Sequence, residues 1–242
     1  MPDLEFVLVE PLYEGNIGFA ARVIRNFGFE NLTLINPPEI TVEARARASH
    51  AFDTLANARV CSSLDEVIET SNLVVATTGA LSKSVTTAMR MPYYTPRELA
   101  EMLEGTDGRI AILFGRENWG LSNEEVEKAD IICTIPTHPG YPIVNISHAV
   151  GIVAYECANI PRGEYALASR IELDSLYDHF DRFLDNIDHP DHKRNNTLTM
   201  IRRIFSRTML TTREVTTLHG LMRRAEYHIG ALDEEDKGSE EE

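Results

Sequence analysis

The chain has 242 residues, 43% of them hydrophobic and 25% charged, with 14 Gly and 11 Pro. That is long enough for one large domain or two modest ones with a real core, and the composition excludes a disordered, collagen-like or fibrous chain. The net charge of −15, taken alone, argues against nucleic acid as a partner.

The distribution of charge changes that reading. The segment Asp233–Glu242 holds seven acids and one Lys, which predicts a disordered acidic tail. Upstream, Lys193–Arg224 holds eight bases and one acid, Glu214. Arg outnumbers Lys 19 to 4, and Arg suits bidentate phosphate contact. The three cysteines, Cys61, Cys133 and Cys157, form no Cys-x-x-Cys pair, so neither a disulfide framework nor a zinc ribbon is supported. The first ten residues carry acids where a signal peptide needs bases. No run of about 18 apolar residues predicts a membrane helix. The expectation is a cytoplasmic protein without membrane contact.

In chain order, Leu4 to Val9 reads as a strand and Ile17 to Phe27 as a helix ended by Gly28. Leu32 to Ile35 is a second strand, stopped by Asn36-Pro37-Pro38, and Glu43 to Phe52 a helix. Short strand and helix signals follow at Arg59 to Cys61 and Leu64 to Glu69, then a buried-type strand at Leu73 to Thr77. Thr95-Pro96 is a good N-cap followed by Pro at the first helical position, opening a helix to Leu103. Ile110 to Phe114 and Ile131 to Ile135 are strands around a helix at Asn123 to Glu127, and Asn145 to Ala158 is an apolar helix. Continuous apolar strands alternating with helices predict an α/β fold with a parallel sheet covered on both faces. After Pro161-Arg162-Gly163 no strand is predicted. Helical spacing covers Glu172 to Ile187, Thr197 to Leu210 and Arg213 to His228. The predicted division is an α/β domain over 1–160, a helical extension over 161–232 and the tail over 233–242.

Three loops carry residues suited to chemistry. The first runs Gly15-Asn16-Ile17-Gly18-Phe19-Ala20-Ala21-Arg22. A glycine-rich turn opening a helix presents free N–H groups to an anion, with Asn16 as the expected cap and Arg22 reaching back over the same phosphate. It is equally a capped helix with a surface Arg, and it lacks the dinucleotide fingerprint. The second runs from Gly115-Arg116-Glu117-Asn118-Trp119-Gly120-Leu121 into Ser122-Asn123. Gly115 would let a ligand approach the backbone, at the strand end where α/β proteins bind ligands. A plain β–α turn explains Ser122, Asn123 and Glu125 but not Glu117 or the single Trp. The third runs from Ile135-Pro136 through Pro142-Ile143-Val144-Asn145 to Ser147. It is a rigid wall for a flat ligand, or a connector with Asn145 as cap. His138 and His148 have no partnering Cys or acid pair, so no metal is expected.

In this order the three loops resemble the motifs of the SpoU/TrmH (SPOUT) RNA 2′-O-methyltransferase family, N-x-G-x-x-A-R, F-G-x-E-x-x-G-L and P-x-x-N-(L/I)-S-x-A-V. The resemblance covers residues 4–158. It is strongest to the TrmJ type, through the opening L-V-E-P-x-x-x-G-N-I-G, the Asn57-Ala58-Arg59 segment and the helical extension. It implies a SPOUT-type parallel sheet with a C-terminal trefoil knot, an exception to the rule against threaded chains, and a homodimer with sites near its interface. It implies S-adenosyl-L-methionine as donor and a ribose 2′-hydroxyl of tRNA as acceptor, at nucleotide 32 of the anticodon loop. Another tRNA or rRNA site, or an inactive RNA-binding relative, is the alternative.

Carried over residue by residue, the resemblance places Asn16, Arg22, Glu117 and Asn145 in the catalytic group. It places Thr77, Thr78, Gly79, Gly115, Ile135, Pro142, Ile143 and Val144 around the cofactor. Many bacterial relatives have Ser where this chain has Ile143, so a hydroxyl there is not essential to an active protein. The first loop has no His, Cys or carboxylate to act as base, and a guanidinium stays protonated in water. Arg22 is therefore expected to grip the phosphate beside the target ribose and to polarise its oxygen; the alternative that the resemblance carries is Arg22 as the base, helped by an RNA phosphate. In the extension, Arg202, Arg203 and Arg207 are the expected RNA contacts. The competing expectation is a clamp between these Arg residues and the acids of the preceding helix.

Overall fold

The computed structural model describes residues 2–79, 92–161 and 165–239. The chain divides into two compact units, Met1–Ala166 and Leu167–Glu242.

The first unit contains β1 (Asp3–Val9), α1 (Glu14–Asn26), β2 (Asn31–Ile35), α2 (Val42–Ala48), α3 (Phe52–Ala56), β3 (Arg59–Cys61) and α4 (Asp65–Ile68). It continues with β4 (Leu73–Thr77), β5 (Tyr93–Tyr94), α5 (Pro96–Leu103), β6 (Thr106–Asp107), β7 (Arg109–Phe114) and α6 (Asn123–Glu127). It closes with β8 (Ile131–Cys133), α7 (Ile146–Cys157) and β9 (Tyr165–Ala166). Seven strands form one sheet in the order β3-β2-β1-β7-β4-β8-β5, with every pairing parallel. Leu4 and Phe6 through Val9, Leu73 through Ala76 and Ile110 through Phe114 are buried, as a sheet covered on both faces requires.

The chain runs outward from β1 to β2 and β3, then crosses to β4 on the other side, and β7 later fills the gap between β1 and β4. The direction of winding reverses there, and a crevice opens beyond the carboxyl ends of the central strands. The implied trefoil knot depends on the path between β4 and β5, and residues 80–91 of that path lie outside the described residues.

Local signals explain most element ends. Thr95 with Glu98 and Ser122 with Glu125 form capping boxes at α5 and α6. The predicted elements are not all reproduced. The helix expected over Glu43 to Phe52 breaks at Ser49, whose φ is +53°, and resumes as α3. A strand the apolar pattern missed, β9, pairs with β6; two residues are too short to show a period of two. That pairing keeps the chain with the first unit as far as Ala166.

The second unit holds α8 (Arg170–Asn186), α9 (Asp191–Thr208) and α10 (Thr212–Ser239). Ala168, Leu176, Leu210, Val215 and Met222 form its core, with Phe180, Phe183 and Phe205 packed on it. A Ser169–Glu172 capping box starts α8. The segment expected to be disordered from Asp233 continues the α10 backbone as helix to Ser239. Extending an existing helix is far easier than nucleating one, and Glu and Lys are good helix formers.

Candidate active site

The first loop is not the turn its glycines suggest. α1 begins at Glu14, so Gly15, Asn16 and Gly18 lie inside the helix. The cap position is Tyr13, which makes no side-chain cap bond; Asn16 is not the cap. A Cβ on Gly18 would lie 2.2 Å from the Ala44 carbonyl oxygen and 2.8 Å from Arg47 Cβ. Gly18 is there to let α1 and α2 approach, not to cradle an anion.

The group that does serve this end of α1 comes from the second loop. The Glu117 carboxylate accepts from Leu12 N at 2.8 Å, Tyr13 N at 3.4 Å and Asn16 Nδ2 at 2.8 Å. A carboxylate at a helix N-terminus meets both the free N–H groups and the positive end of the dipole. Asn16 Oδ1 in turn accepts from Asn145 Nδ2 at 3.3 Å. Asn145 caps α7 as its sequence predicts, with Oδ1 accepting from Ser147 N at 2.9 Å and Ser147 Oγ at 2.7 Å. One hydrogen-bonded chain, Glu117–Asn16–Asn145–Ser147, thus ties the three loops together. Arg22 is outside it. Six residues along α1 turn its side chain about 120° around the axis from Asn16. It is exposed and has no hydrogen-bond or ion-pair partner among the described residues.

The second loop is held by Arg116, which sequence reasoning passed over. Only 8% of Arg116 is exposed. Its Nη1 and Nη2 reach Glu125 at 2.9 and 3.0 Å, its Nε reaches Glu10 at 2.8 Å, and its guanidinium lies 4.0 Å from the centroid of the Trp119 ring. Burial alone would raise the Glu125 pKa, but the bidentate Arg116 contact and the Ser122 amide and hydroxyl outweigh it and hold the carboxyl below its ordinary range. The one available signal was Ser122-x-x-Glu125, whose capping box already placed that carboxylate beside the loop. Gly115 also has a different reason from the one expected. A Cβ there would fall 2.2 Å from both Gly120 C and Leu121 N. Its smallness lets the loop close on itself through the paired Arg116 and Gly120 backbone bonds of 3.2 and 2.9 Å.

Beside this chain lies a cavity of about 880 Å³, counting its open mouth. It is lined by Thr77, Thr78, Gly79, Gly115, Ile135, Pro142, Ile143 and Val144, the eight positions expected around a cofactor, and also by Trp119 and Leu121. Thr77 and Thr78 are fixed by bonds of Thr77 Oγ1 to the Leu113 carbonyl at 2.8 Å and of Thr134 Oγ1 to the Thr78 carbonyl at 2.9 Å. A Cβ on Gly79 would sit 3.0 Å from Ile143 Cδ1, so the third loop folds down over the end of β4. The walls combine aliphatic side chains and backbone with the Phe114 and Trp119 rings, Thr77, Thr78 and Asn118, and the two charged side chains, Arg116 and Glu117, are already engaged. Such walls fit an adenine face and a short aliphatic chain. Among the described residues no group of three or more His, Cys, Asp or Glu is placed to hold a metal. No helix among them is long and apolar enough to cross a membrane.

Residues 3–155 match the SpoU rRNA Methylase family. The chain belongs to that family. Residues 171–237 match the C-terminal domain of the tRNA methyltransferase TrmJ, so this SpoU methylase is a methyltransferase of the TrmJ type. The tRNA (cytidine-2′-O-)-methyltransferase TrmJ of Methanocaldococcus jannaschii is 37% identical over 223 residues, covering 89% of this chain and 96% of its own. The crystal structure of TrmJ from Z. mobilis superposes with a TM-score of 0.71 at 30% identity, covering 93% of this chain and 99% of that one. The SpoU methyltransferase AviRb from Streptomyces viridochromogenes, crystallised with AdoMet, shares the fold at a TM-score of 0.51 and 19% identity, covering 65% of this chain and 60% of that one.

In the helical unit of this SpoU methylase the Arg residues divide. Arg194 pairs with Asp181, at 2.6 Å, and with Asp185. Arg202 lies 3.9 Å from Asp174 and over the Tyr177 ring. Of the Arg residues expected either to contact RNA or to clamp the preceding helix, Arg202 takes the clamp; Arg194, which was not among them, pairs with that helix as well. Arg207 is half-buried and makes no ion pair among the described residues.

Proposed function

We propose that the chain transfers a methyl group from S-adenosyl-L-methionine to the ribose 2′-hydroxyl of a pyrimidine in tRNA, at nucleotide 32 of the anticodon loop. The observation that carries this is the Glu117–Asn16–Asn145 chain at the edge of the cavity. The TrmJ relatives named for cytidine or uridine 2′-O-methylation of tRNA support the substrate class, and the AdoMet-bound AviRb supports the donor. Position 32 rests on the sequence resemblance.

The cofactor, held by the ends of β4 and β7 and by the third loop, supplies a methyl group on a sulfonium, which needs no metal. The rest falls to this chain. Glu117 fixes the start of α1 and the Asn16 amide. Asn16 in turn fixes Asn145, so the polar groups at the cavity mouth hold one arrangement before the ribose arrives. That is catalysis by alignment. Arg22 grips the phosphate beside the target ribose and polarises the 2′-oxygen. Arg203 and Arg207 extend the grip on tRNA, while Arg202 is engaged by Asp174 and the Tyr177 ring. The protein works as a cytoplasmic homodimer; Ile152 and Tyr155 of α7, 38% and 61% exposed, give it an apolar face.

The test is transfer of a radiolabelled methyl group to unmodified tRNA, followed by mapping of the modified nucleotide. Label at the 2′-oxygen of nucleotide 32 is expected. Label elsewhere overturns the position. Bound tRNA without label overturns the enzymatic reading in favour of an RNA-binding relative.

A further inference from the structure

Two polar stripes face each other inside the helical unit. On α8 they are Ser175, His179 and Arg182; on α10 they are His219, Arg223 and Glu226. Each stripe is spaced by four and then three residues, which places it on one helix face. Between them lies an open cleft of about 810 Å³ lined by all six. His179 is buried, and its Nε2 sits 3.1 and 3.2 Å from the two Glu226 oxygens. Asn186 Nδ2 donates to the same carboxylate at 3.2 Å. His179 Nδ1 sits 2.7 Å from His219 Nδ1, with the rings stacked at 5.0 Å.

These contacts restrict where protons can be. A carboxylate only accepts, so His179 carries a proton on Nε2. Two Nδ1 atoms this close must share one proton. If His219 owns it, both rings are neutral and His219 Nε2 is an acceptor. If His179 owns it, His179 is an imidazolium and His219 carries its own proton on Nε2, as a donor. A further proton would set two N–H groups against each other. The pair therefore takes up one proton, and that proton converts Nε2 of His219 from acceptor to donor.

Arg182 and Arg223 stand in the same cleft with no carboxylate partner among the described residues; Arg223 Nε donates to the His219 carbonyl at 3.3 Å. Three other Arg residues of the helical unit are occupied elsewhere: Arg194 on Asp181 and Asp185, Arg170 and Arg202 on Asp174. Burial first, and then the nearby His179, Arg223 and Arg182, lower the His219 pKa. The cleft sets two guanidiniums against one carboxylate, Glu226, which His179 and Asn186 already engage, in a protein of net charge −15.

We propose that this cleft is a phosphate site, in which Arg182, Arg223 and the Nε2–H of His219 grip a backbone phosphodiester of bound RNA while the His179–His219 pair takes up one proton. The inference rests on the tRNA reading above for the source of the phosphate. Binding and protonation are linked. Burial does most to hold His219 below its ordinary value of about 6.5, and an anion between the guanidiniums offsets the added repulsion from Arg223 and Arg182. The pair then titrates higher when bound than when free, so affinity rises as pH falls between those two values. One proton gives a slope of at most about tenfold per pH unit.

The test uses the full chain. tRNA binding is measured at fixed salt from pH 8 to pH 6 for the wild type, Arg182→Ala/Arg223→Ala, and Arg213→Ala, which is exposed on the same helix outside the cleft. In parallel, inorganic phosphate is titrated while the histidine ring signals are followed by NMR. Wild-type affinity is expected to rise several-fold as pH falls. The double variant should bind about tenfold more weakly at pH 6 and lose the slope. Arg213→Ala should keep the slope, and phosphate should raise the midpoint of the His219 ring. If phosphate moves His219 but the double variant binds tRNA like the wild type, the ligand is a free phosphate and the RNA assignment is overturned. If phosphate moves nothing and the slope is absent, the site is overturned. If wild-type protein binds no tRNA, the tRNA reading itself fails, and the phosphate titration alone decides the cleft.

Discussion

Replacing Glu117 by Gln tests the hydrogen-bonded chain at its anchor. The carboxylate accepts from three donors, Leu12 N, Tyr13 N and Asn16 Nδ2. A Gln offers one accepting oxygen and turns an NH₂ group toward donors. At least one bond is lost, and one donor faces another. For hydrogen bonds to a charged, half-buried group the cost is about 1–3 kcal/mol. If that cost falls on the aligned arrangement of Asn16 and Asn145, its population drops about 5- to 150-fold.

The loss should appear in kcat at saturating tRNA and donor, because alignment is what Glu117 supplies. Donor affinity by calorimetry should change by less than about threefold, since the Glu117 carboxylate is spent on α1 rather than on the cavity. Thermal melting should show a folded protein. A Glu117→Gln variant that melts normally and keeps the full kcat would refute the claim that this chain organises the site. Equal losses in kcat and donor affinity would show that Glu117 acts on the donor instead.

Arg22→Ala should lower methyl transfer by orders of magnitude and leave donor affinity within about twofold, because Arg22 lies on another side of α1 from Asn16; a matching loss of donor binding refutes that placement. Gly18→Ala should destabilise the protein by about 1–3 kcal/mol, since the new Cβ meets the Ala44 backbone. Gly220→Ala, on α10 with open space around it, should instead gain about 0.5–1 kcal/mol, and melting temperatures that move the same way for both would sink the steric argument. Glu125 contributes stability that is present above its unfolded value of about 4.3 and lost as pH falls through its lower folded value. Acid unfolding of Glu125→Gln should accordingly show a weaker dependence on pH below about 4.5; an unchanged acid profile would mean the Arg116 pair contributes nothing there.

What was legible in the sequence follows from the range of the interaction that fixes each feature. The central strands β4 and β7 are nearly continuous apolar runs, and burial on two faces writes itself directly into neighbouring residues. Thr95–Glu98, Ser122–Glu125 and Asn145 are caps whose partners lie within three residues, so their sequence signatures are complete. Asn16 misled for the converse reason. Its type suits a cap, but the acceptor that serves the start of α1 is Glu117, 101 positions away in sequence from Asn16, and no local pattern encodes that. The glycines show the same limit. Gly18 and Gly115 were legible as places where a side chain cannot stand, while what excludes the side chain, Ala44 in one case and the Gly120-Leu121 backbone in the other, is a packing fact.

The same distinction explains why the motif residues meet around one cavity and yet take local positions that their residue types do not announce. A motif records which positions tolerate no change, and intolerance has several physical sources: a contact to ligand, a contact between loops, or a close backbone approach. Gly115 borders the cavity and also lets its own loop close; Arg116 was overlooked because a buried Arg reads in sequence like a surface one. The loops of the first unit are thus held mainly by one another, through Glu117 to α1, Asn16 to Asn145, and Arg116 to Glu10 and Glu125. A site organised in this way before its ligands arrive needs few groups of its own to touch the reacting atoms, which is the economy expected when the donor already carries its methyl on a sulfonium and the protein's task is to align an oxygen with it.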